Sequence, residues 1–392
     1  MLEARVVLLL VAPILMLAAA GCAPSRPSHV SIDGFDALVG PQTQAEVDVW
    51  AVALCRVSSD VSNPLYAPLA DRLDLSSAEI VDRLSPVSDY FARWSRGRYT
   101  IEWRAAAPVD LGPDGDPMSC VDRAAAESSD EVTGVLVIAD AQHGDDQIGG
   151  WGRRGTPCDQ PCPVSQSGRS VYVGASDFMP QWNGNSPLDL IEHEIGHALG
   201  WPHSATDAGF SNGGHVYDSP FDLMSNSAAP READEDRRGA PGVLAANLYA
   251  AGWLTSDETV VVDPERYGVS EWHDAAQLAS TDSSGDGSQP QLVVVPLSDE
   301  RFVTLELIAA RGDNAHLTMT GLVVHLVESA DTNEGRHNVL LTTDPIGENR
   351  SWVWSDGGLE FRLGRVYETS GRVVADVRLR RLGPDRVPRT GD

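Results

Sequence analysis

Hydrophobic and polar positions follow two different patterns along the chain, and the change comes near Trp253. Before it, apolar runs of strand length are interleaved with stretches that have helical spacing. The predicted strands are Val47–Val57, Tyr99–Ala107, Val135–Ala139 and Ser170–Ala175, and the predicted helices are Ser77–Trp94, Met118–Ser128 and Gly242–Trp253. This order indicates an α/β (α+β) domain, which we place at residues 45–256.

After Trp253 the pattern predicts only short strands separated by turn residues. They are expected at Thr259–Val262, Leu292–Leu297, Phe302–Ala309, Leu322–Val327, Val339–Thr343, Ser351–Trp354 and Arg372–Leu379. Within the third of these, Val303, Leu305 and Leu307 alternate with polar residues, as in a strand that buries one face. We therefore expect an all-β, sandwich-like domain at residues 257–392.

A further helix is predicted from the residues that would begin it. Ser186 is a favourable N-cap, Pro187 suits the first helical position, and Asp189 can complete a capping interaction. The helix should therefore begin near Pro187. Four apolar residues then lie on the side opposite His193 and predict a buried stripe: Leu188, Ile191, Ile195 and Ala198.

This helix carries the segment His193-Glu-Ile-Gly-His-Ala-Leu-Gly-Trp-Pro-His203, which matches the pattern H-E-x-x-H-x-x-G-x-x-H at every position. His193 and His197 are four residues apart, so their imidazoles share one helix face and can bind one metal ion. Gly200 can end the helix in a left-handed conformation that turns the chain toward His203. Three protein ligands would leave the fourth position of a zinc ion to water, as in catalytic sites.

A methionine, Met224, follows the last histidine in a turn-like stretch. Taken alone, it is an ordinary core residue. Together with the histidine motif it resembles the metzincin clan of zinc endopeptidases, in which a Met-turn forms a floor beneath three histidines. The resemblance implies a metzincin-type catalytic domain with a zinc cofactor, in which His193, His197 and His203 are the ligands, Glu194 is the general base and Met224 is the Met-turn residue.

Two subfamilies stay open within this resemblance. Ser204, directly after the third histidine, is like the matrixins, whereas a catalytic domain that runs straight into a β-rich segment looks more like the gametolysin-type and related bacterial secreted metzincins. Some metzincins also bind zinc through a tyrosine two residues after the Met-turn methionine. Asn226 occupies that position here, which excludes tyrosine ligation from it and leaves Tyr217 as only a weak substitute candidate.

The chemistry that the motif implies is peptide hydrolysis in a protein or peptide substrate. Zinc lowers the pKa of bound water to about 7 and polarises a carbonyl, while Glu194 takes the proton and later passes it to the leaving amine. Neither Ser204 nor Ser225 lies in a G-x-S-x-G elbow, so no competing nucleophile is indicated. Gly149-Gly-Trp-Gly152 predicts a loop or strand edge beside the cleft, where an extended substrate could add as a β-strand.

The alternative from another functional class is a cell-surface binding lipoprotein whose metal site is vestigial. In that case the β domain would dock to wall polymer or protein. The intact Glu194 argues against this alternative, because a protein without activity has no need of the base.

The first residues predict export. Residues 1–21 contain Arg5 and then an apolar run, Val6–Ala20, that is too short for a transmembrane helix. Ala-Ala-Gly-Cys22 closes the run like a bacterial lipoprotein signal, and Cys22 would then be the lipidated first residue of the mature chain. Residues 22–44 would form a tether, because the stretch from Ala23 to about Gln44 is rich in Pro, Ser and Gly.

An ordinary cleaved signal peptide is the alternative to the lipoprotein signal. Glu3 weakens the positive N-terminal segment, and Ala19 stands where leucine is commoner. In either case the protein would be exported, as an outward-facing membrane lipoprotein or as a secreted protein.

Four cysteines remain besides Cys22, an even number in an oxidising compartment, and they predict two disulfides. Three connectivities are possible. The close spacing of Cys158 and Cys162 favours a local loop, which would leave Cys55 with Cys120. A second zinc site is not expected, because Cys55 and Cys120 have no C-x-x-C partner.

Charge limits the partners of the protein. The chain of 392 residues has a formal net charge of −28, and all 29 basic residues are arginine. A surface of this sign is repelled by nucleic-acid phosphates and by anionic lipid headgroups. We therefore expect no nucleic-acid partner and membrane attachment only through the lipid anchor.

Two features of the C-terminal part contain possible metal ligands but lack the required spacing. The histidines are scattered and are interpreted as surface or core residues: His273, His316, His325 and His337. Asp282-Ser-Ser-Gly-Asp-Gly287 has some likeness to a calcium loop, but no downstream glutamate completes an EF-hand. We interpret this segment as a linker.

Overall fold

The computed structural model describes residues 33–40, 46–66, 72–113, 115–143, 149–156, 158, 162–178, 188–211, 217–227, 240–282, 289–332 and 334–383. These residues belong to one compact unit that spans Ile32–Asp392. The predicted signal peptide, the lipidation residue Cys22, residues 22–32 and 41–44 of the tether and residues 283–287 of the predicted linker lie outside the described residues.

The first sheet has six strands and is mostly parallel, with the order β2-β1-β4-β6-β5 and with β3 also paired to β1. Its strands are β1 (Val47–Val57), β2 (Thr100–Ala105), β3 (Val109–Leu111), β4 (Gly134–Ala139), β5 (Gly150–Arg153) and β6 (Ser170–Val173). Every residue of β4 and β6 is buried, which explains why these strands are continuous apolar runs. The antiparallel strand β5 lies at one edge.

Eight helices are present in the described ranges. They are α1 (Asp33–Val39), α2 (Ser77–Val81), α3 (Ser85–Trp94), α4 (Pro117–Ala126), α5 (Val164–Ser167), α6 (Asp189–Ala198), α7 (Asp207–Ser211) and α8 (Ala245–Ala250). None of these helices has the length and apolar character needed to span a membrane. The predicted helix Ser77–Trp94 is two helices, because Pro86 in the first turn of α3 disfavours a continuous helix through the residues before it.

Helix α1 corrects part of the predicted tether. Its residues 33–39 pack on the folded unit, with Phe35 fully buried. The Phe35 ring lies 5.5 Å from the ring of Tyr249 and 5.3 Å from that of Phe302. An aromatic side chain and the apolar Leu38 and Val39 give this segment a surface to bury, which the composition of residues 22–44 as a whole does not reveal.

Two further sheets are formed by later strands together with one short strand that follows the histidine motif. Their strands are β7 (Ser204–Thr206), β8 (Thr259–Val261), β9 (His273–Ala279), β10 (Leu292–Ser298), β11 (Arg301–Ile308), β12 (Gly321–Ser329), β13 (Arg336–Leu340), β14 (Ser351–Trp354), β15 (Leu359–Thr369) and β16 (Arg372–Arg381). The second sheet has the order β7-β13-β12-β11-β10-β8, and the third has the order β14-β15-β16-β9. Each strand predicted after Trp253 has a counterpart, although β13 begins and ends three residues before the predicted Val339–Thr343, and β9 and β15 are additional.

The two late sheets share one hydrophobic cluster. It includes Val303, Leu305 and Leu307, the residues whose alternation predicted a buried face, and Phe361 and Val377 of the third sheet. The opposite face of the second sheet belongs to another cluster: Phe302 and Val327 pack with residues of α3 and α6. The segments assigned to separate domains at residues 45–256 and 257–392 therefore share a core and, through β7, a sheet.

The two disulfides have the predicted connectivity. Cys55 of β1 is bonded to Cys120 of α4, with their Cα atoms 5.9 Å apart. Cys158 is bonded to Cys162, and this bond closes a loop between residues only four positions apart.

Loop length predicts unequal contributions of the two disulfides to stability. In the chain-entropy view, a bond across 65 residues contributes about 4 kcal/mol and a bond across 4 residues about 2 kcal/mol. We expect the Cys55→Ala/Cys120→Ala protein to lose about twice as much unfolding free energy as the Cys158→Ala/Cys162→Ala protein. Urea denaturation of both, with non-reducing peptide mapping of the wild type, tests this; equal losses or crossed bonds would contradict it.

Glu306 of β11 has a buried carboxyl group that contacts the start of α8. Its Oε2 accepts a hydrogen bond of 2.9 Å from the backbone N–H of Ala245, the first residue of α8. Burial raises the pKa of Glu306 to about 8; the hydrogen bond from Ala245 lowers this pKa and the charge of Asp222 raises it. A carboxyl whose pKa is higher in the folded protein than in the unfolded chain stabilises the fold at low pH and loses that effect as the pH rises.

Glu306→Gln keeps an acceptor for Ala245 but cannot ionise. Relative to this variant, the wild type should lose stability as the pH rises from about 4.5 to about 8. We expect the variant to gain about 2 kcal/mol or more over the wild type between pH 5 and pH 9. Urea denaturation at both pH values measures the difference, with Glu300→Gln at an exposed position as the control. Parallel pH profiles for the wild type and Glu306→Gln would refute the assignment.

Candidate metal centre

The three histidines of the motif converge at the end of α6. The Nε2 atoms of His197 and His203 are 3.1 Å apart, and those of His193 and His203 are 3.4 Å apart. One ring nitrogen of each lies within 4.8 Å of the others. Within the part of the chain that the structure describes, this is the one group of His, Cys, Asp or Glu residues close enough to hold a metal ion.

Helix α6 begins two residues later than predicted, at Asp189. Leu188 has a φ of 62° and so cannot belong to the helix, while Ser186 and Pro187, the predicted cap, lie outside the described residues. The predicted stripe is buried as expected, with Leu188, Ile191, Ile195 and Ala198 at most 2% exposed. This packing fixes the helix that carries two of the three histidines.

Gly200 ends the helical segment as predicted, with a φ of 87°. The backbone N–H of Trp201 then returns to the carbonyl of Gly196 at 2.9 Å, which closes the turn. His203 is thereby directed back toward His193 and His197. A residue with a side chain at position 200 would be strained in this conformation.

The Nδ1 atom of each histidine contacts an oxygen atom of a residue outside the three-histidine group. The Nδ1 of His193 donates to the carbonyl of Leu223 at 2.7 Å, and that of His197 donates to the carbonyl of Trp201 at 2.9 Å. The Nδ1 of His203 lies 2.6 Å from Oε1 of Glu334. Because these oxygens accept hydrogen bonds, each Nδ1 carries a proton, and in a neutral ring this leaves the lone pair on Nε2.

This donor set fits a metal ion. Three lone pairs that face one another at these distances repel, and a cation between them removes the repulsion. Burial lowers the pKa of His193 to about 3, and the pKa of His197 also lies well below its ordinary value because of burial and the two neighbouring histidines. The rings of His193 and His197 therefore stay neutral, as metal ligands must. Three imidazole nitrogens suit zinc and related transition metals.

The turn that contains Met224 lies against the metal-site helix. Met224 is fully buried, and a methyl group in place of a hydrogen of Gly196 would overlap its Sδ atom. Its carbonyl accepts a hydrogen bond of 3.0 Å from the N–H of Ser204, the first residue of β7. The predicted Met-turn residue is therefore next to the helix and strand that carry the histidines, and its specific role stays a prediction.

Asp222 connects the turn that contains Met224 to Ser204 and Leu244 through hydrogen bonds. Its Oδ2 accepts a 2.7 Å hydrogen bond from the hydroxyl of Ser204, and its Oδ1 accepts one of 3.3 Å from the N–H of Leu244. Burial raises the pKa of Asp222 to about 6, while these hydrogen bonds lower it. Ser204 is thus a buried structural hydroxyl, in keeping with the absence of a nucleophile elbow around it.

Glu194, the predicted general base, is buried beside the histidines on α6. Its side chain faces Gly150 of β5, where a Cβ atom would lie 3.3 Å from its Cγ. Its charge, together with that of Glu334, contributes to the raised pKa of Tyr217, which is caused first by burial. The ring of Tyr217 is 5.1 Å from that of His203, so this residue stands at the site, and its possible ligand role stays a prediction.

Strand β5 packs directly on α6. A Cβ atom at Gly152 would overlap the backbone carbonyl oxygen of Glu194 and would lie 2.8 Å from Cβ of His197. Among the described residues, β5 is an edge strand of the first sheet, and it lies against the helix that carries His193 and His197. The prediction that Gly149–Gly152 lies at a strand edge next to the site is confirmed.

Glu334 was missed by the sequence analysis. It is 131 residues from His203 and comes from the turn between β12 and β13, and no local pattern marks it. Among the histidines of the C-terminal part, His325 is buried and the others are partly exposed, and none belongs to a group of possible metal ligands within the described ranges. His316 donates to the carbonyl of Pro220, and His337 stacks on Phe210.

Comparisons with known proteins do not assign the chain to a family. No protein-family model matches the chain, and no curated protein matches it. Among solved structures, the chain is similar to metalloproteinase-II from Bacteroides fragilis, with a TM-score of 0.32 and 13% sequence identity. The similarity covers 54% of this chain and 58% of that protein, so it spans little more than half of either, and it carries no argument about activity.

The close approach of β5 to α6 leads to a stability prediction. Gly152→Ala must push the strand away from the carbonyl of Glu194, and we expect it to lower the unfolding free energy by about 1–3 kcal/mol, as overpacking does. Gly112→Ala is the matched control, because no atom lies within 4 Å of the added methyl group. Urea denaturation compares the two, and equal stability of both variants would contradict the packing described here.

Proposed function

We propose that the protein is an exported, zinc-dependent endopeptidase of the metzincin type. The observation that carries the proposal is the convergence of three imidazoles on one point, with Glu194 beside two of them on α6. A structural zinc site would be closed by a fourth protein ligand, and within the described residues the group contains three. An open fourth position is what hydrolysis requires.

His193, His197 and His203 would hold the metal ion through their Nε2 atoms. When bound, zinc supplies a Lewis acid that polarises the scissile carbonyl and lowers the pKa of water. Glu194 accepts the proton of the attacking water and then delivers it to the leaving amine. Its burial excludes bulk water that would compete for the proton.

The edge of the first sheet at β5 would hold the substrate. An extended peptide can pair with this edge by backbone hydrogen bonds, which bind any sequence and leave side-chain pockets to select among peptides. Gly150 and Gly152 let the strand approach α6 so closely that a paired peptide would pass the histidines. We therefore infer that the substrate is an extended peptide or an unfolded segment of a protein.

Export is supported by the two disulfides, which persist in oxidising compartments. We propose that a lipid on Cys22 attaches the mature protein to the outer side of the cell membrane, or that the chain is secreted after signal cleavage. The rival is a binding lipoprotein with a vestigial metal site. The buried Glu194, one position from a ligand, favours the enzyme.

Glu194→Ala should separate catalysis from metal binding. Because Glu194 is not a ligand, we expect the variant to keep about one zinc per chain while peptide cleavage falls by about 10²–10⁴-fold, the typical effect of losing a general base. Zinc content by elemental analysis and cleavage of a casein-type substrate by the full mature protein are the two measurements. An active variant would contradict the assignment of Glu194.

Two further variants control this experiment. His203→Ala removes a ligand, so zinc content and activity should fall together. Met224→Leu nearly conserves volume, so it should cost less activity than either of the other changes. A wild-type protein that binds zinc and cuts no peptide would favour the binding lipoprotein.

A further inference from the structure

The group that contacts Nδ1 of His203 differs in kind from the groups that contact Nδ1 of the other two histidines. His193 and His197 donate to backbone carbonyls of their own region, whereas His203 meets a carboxylate from the C-terminal β segment. Glu334 makes two contacts with the same residue. Its Oε1 lies 2.6 Å from Nδ1 of His203, and its Oε2 accepts a 3.0 Å hydrogen bond from the backbone N–H of His203.

Strand pairing brings Glu334 to this position. Strand β7 begins directly after His203 and pairs in parallel with β13, with Ser204 opposite Asn338. This pairing places the turn before β13 beside His203. Gly335, with a φ of 72°, donates to the carbonyl of Thr332 at 3.0 Å and shapes this turn.

The next residue, Arg336, anchors the turn to the folded unit. It is buried, and its guanidinium donates to the carbonyl of Val39 at 2.6 Å and to Oδ1 of Asn247 at 3.2 Å. The second of these acceptors belongs to α8, on the side of the metal-site segment. Gly335 and Arg336 thus hold the position of Glu334 from its C-terminal side.

The chemistry of the contact concerns the ring of His203. The carboxylate holds the proton on Nδ1, so that Nε2 keeps the lone pair that a metal needs, and it increases the electron density on that nitrogen. The second hydrogen bond, from the backbone of the same residue, prevents the carboxylate from rotating away. Both carboxylate oxygens are occupied by His203, so Glu334 acts through the histidine and is not itself a ligand.

We propose that Glu334 is a positioning residue of the metal centre, and that the C-terminal β segment completes the site through it. This inference rests on the proposed function only in that the three histidines bind a metal ion. It means that residues 45–256 alone contain all three ligands and yet lack the partner that orients the third.

Glu334→Ala and Glu334→Gln in the full mature protein test the proposal. Glu328→Gln is the matched control, because it removes a carboxylate of the preceding strand that pairs with Arg301, with an exposure similar to that of Glu334. Zinc affinity is measured by competition with a chromophoric chelator. We expect Glu334→Ala to weaken zinc binding by about 10–100-fold, Glu334→Gln to weaken it less because the amide keeps one acceptor for Nδ1, and the control to leave it unchanged.

Two other readouts separate positioning from a general structural role. Thermal denaturation of the metal-free variants reports on the fold, and the visible absorption spectrum of the cobalt-loaded proteins reports on the ligand arrangement. We expect metal-free Glu334→Gln to melt like the control and its cobalt spectrum to differ from that of the wild type. Wild-type zinc affinity in Glu334→Ala would overturn the inference while leaving the proposed function intact, and a wild type that binds no zinc would overturn both.

Discussion

The three histidine rings turn their Nε2 atoms toward one another, at 3.1 and 3.4 Å for the two pairs that include His203. Burial of His193 and His197 withdraws much of the water that would otherwise solvate the lone pairs of these atoms. The surrounding chain must therefore hold each ring against their repulsion. It does so through two backbone carbonyls and the carboxylate of Glu334, each of which accepts a hydrogen bond from an Nδ1 atom.

These three acceptors come from separate parts of the fold. Trp201 belongs to the turn after α6, Leu223 to the turn held by Asp222, and Glu334 to the turn before β13. The site can form only when the helix, the turn and the second sheet are assembled. The hydrophobic core also joins the helix to the second sheet, because residues of α6 and of β10 lie in one cluster. Metal binding should accordingly stabilise the whole unit and not one segment of it.

Local signals in the sequence predicted that the three histidines would converge, but they did not predict the groups that hold the rings in place. The spacing of His193, His197 and His203 and the need for glycine at position 200 are local, and both agree with the geometry. The true start of α6 depends on a left-handed Leu188, whose strain is tolerated because its side chain is buried in the core. Glu334 reaches His203 only through the pairing of β7 with β13, and long-range strand pairing leaves no trace in either segment alone.

Crystals of the zinc-loaded full mature protein would show whether the three histidines bind one metal ion. An anomalous difference map measured at the zinc absorption edge locates the ion without reference to any assumed ligand. We expect a single strong peak within bonding distance of the three Nε2 atoms, about 2.0–2.1 Å from each. The absence of a peak there, or a peak bound by other groups while the three rings remain free, would show that the three histidines are not the metal site.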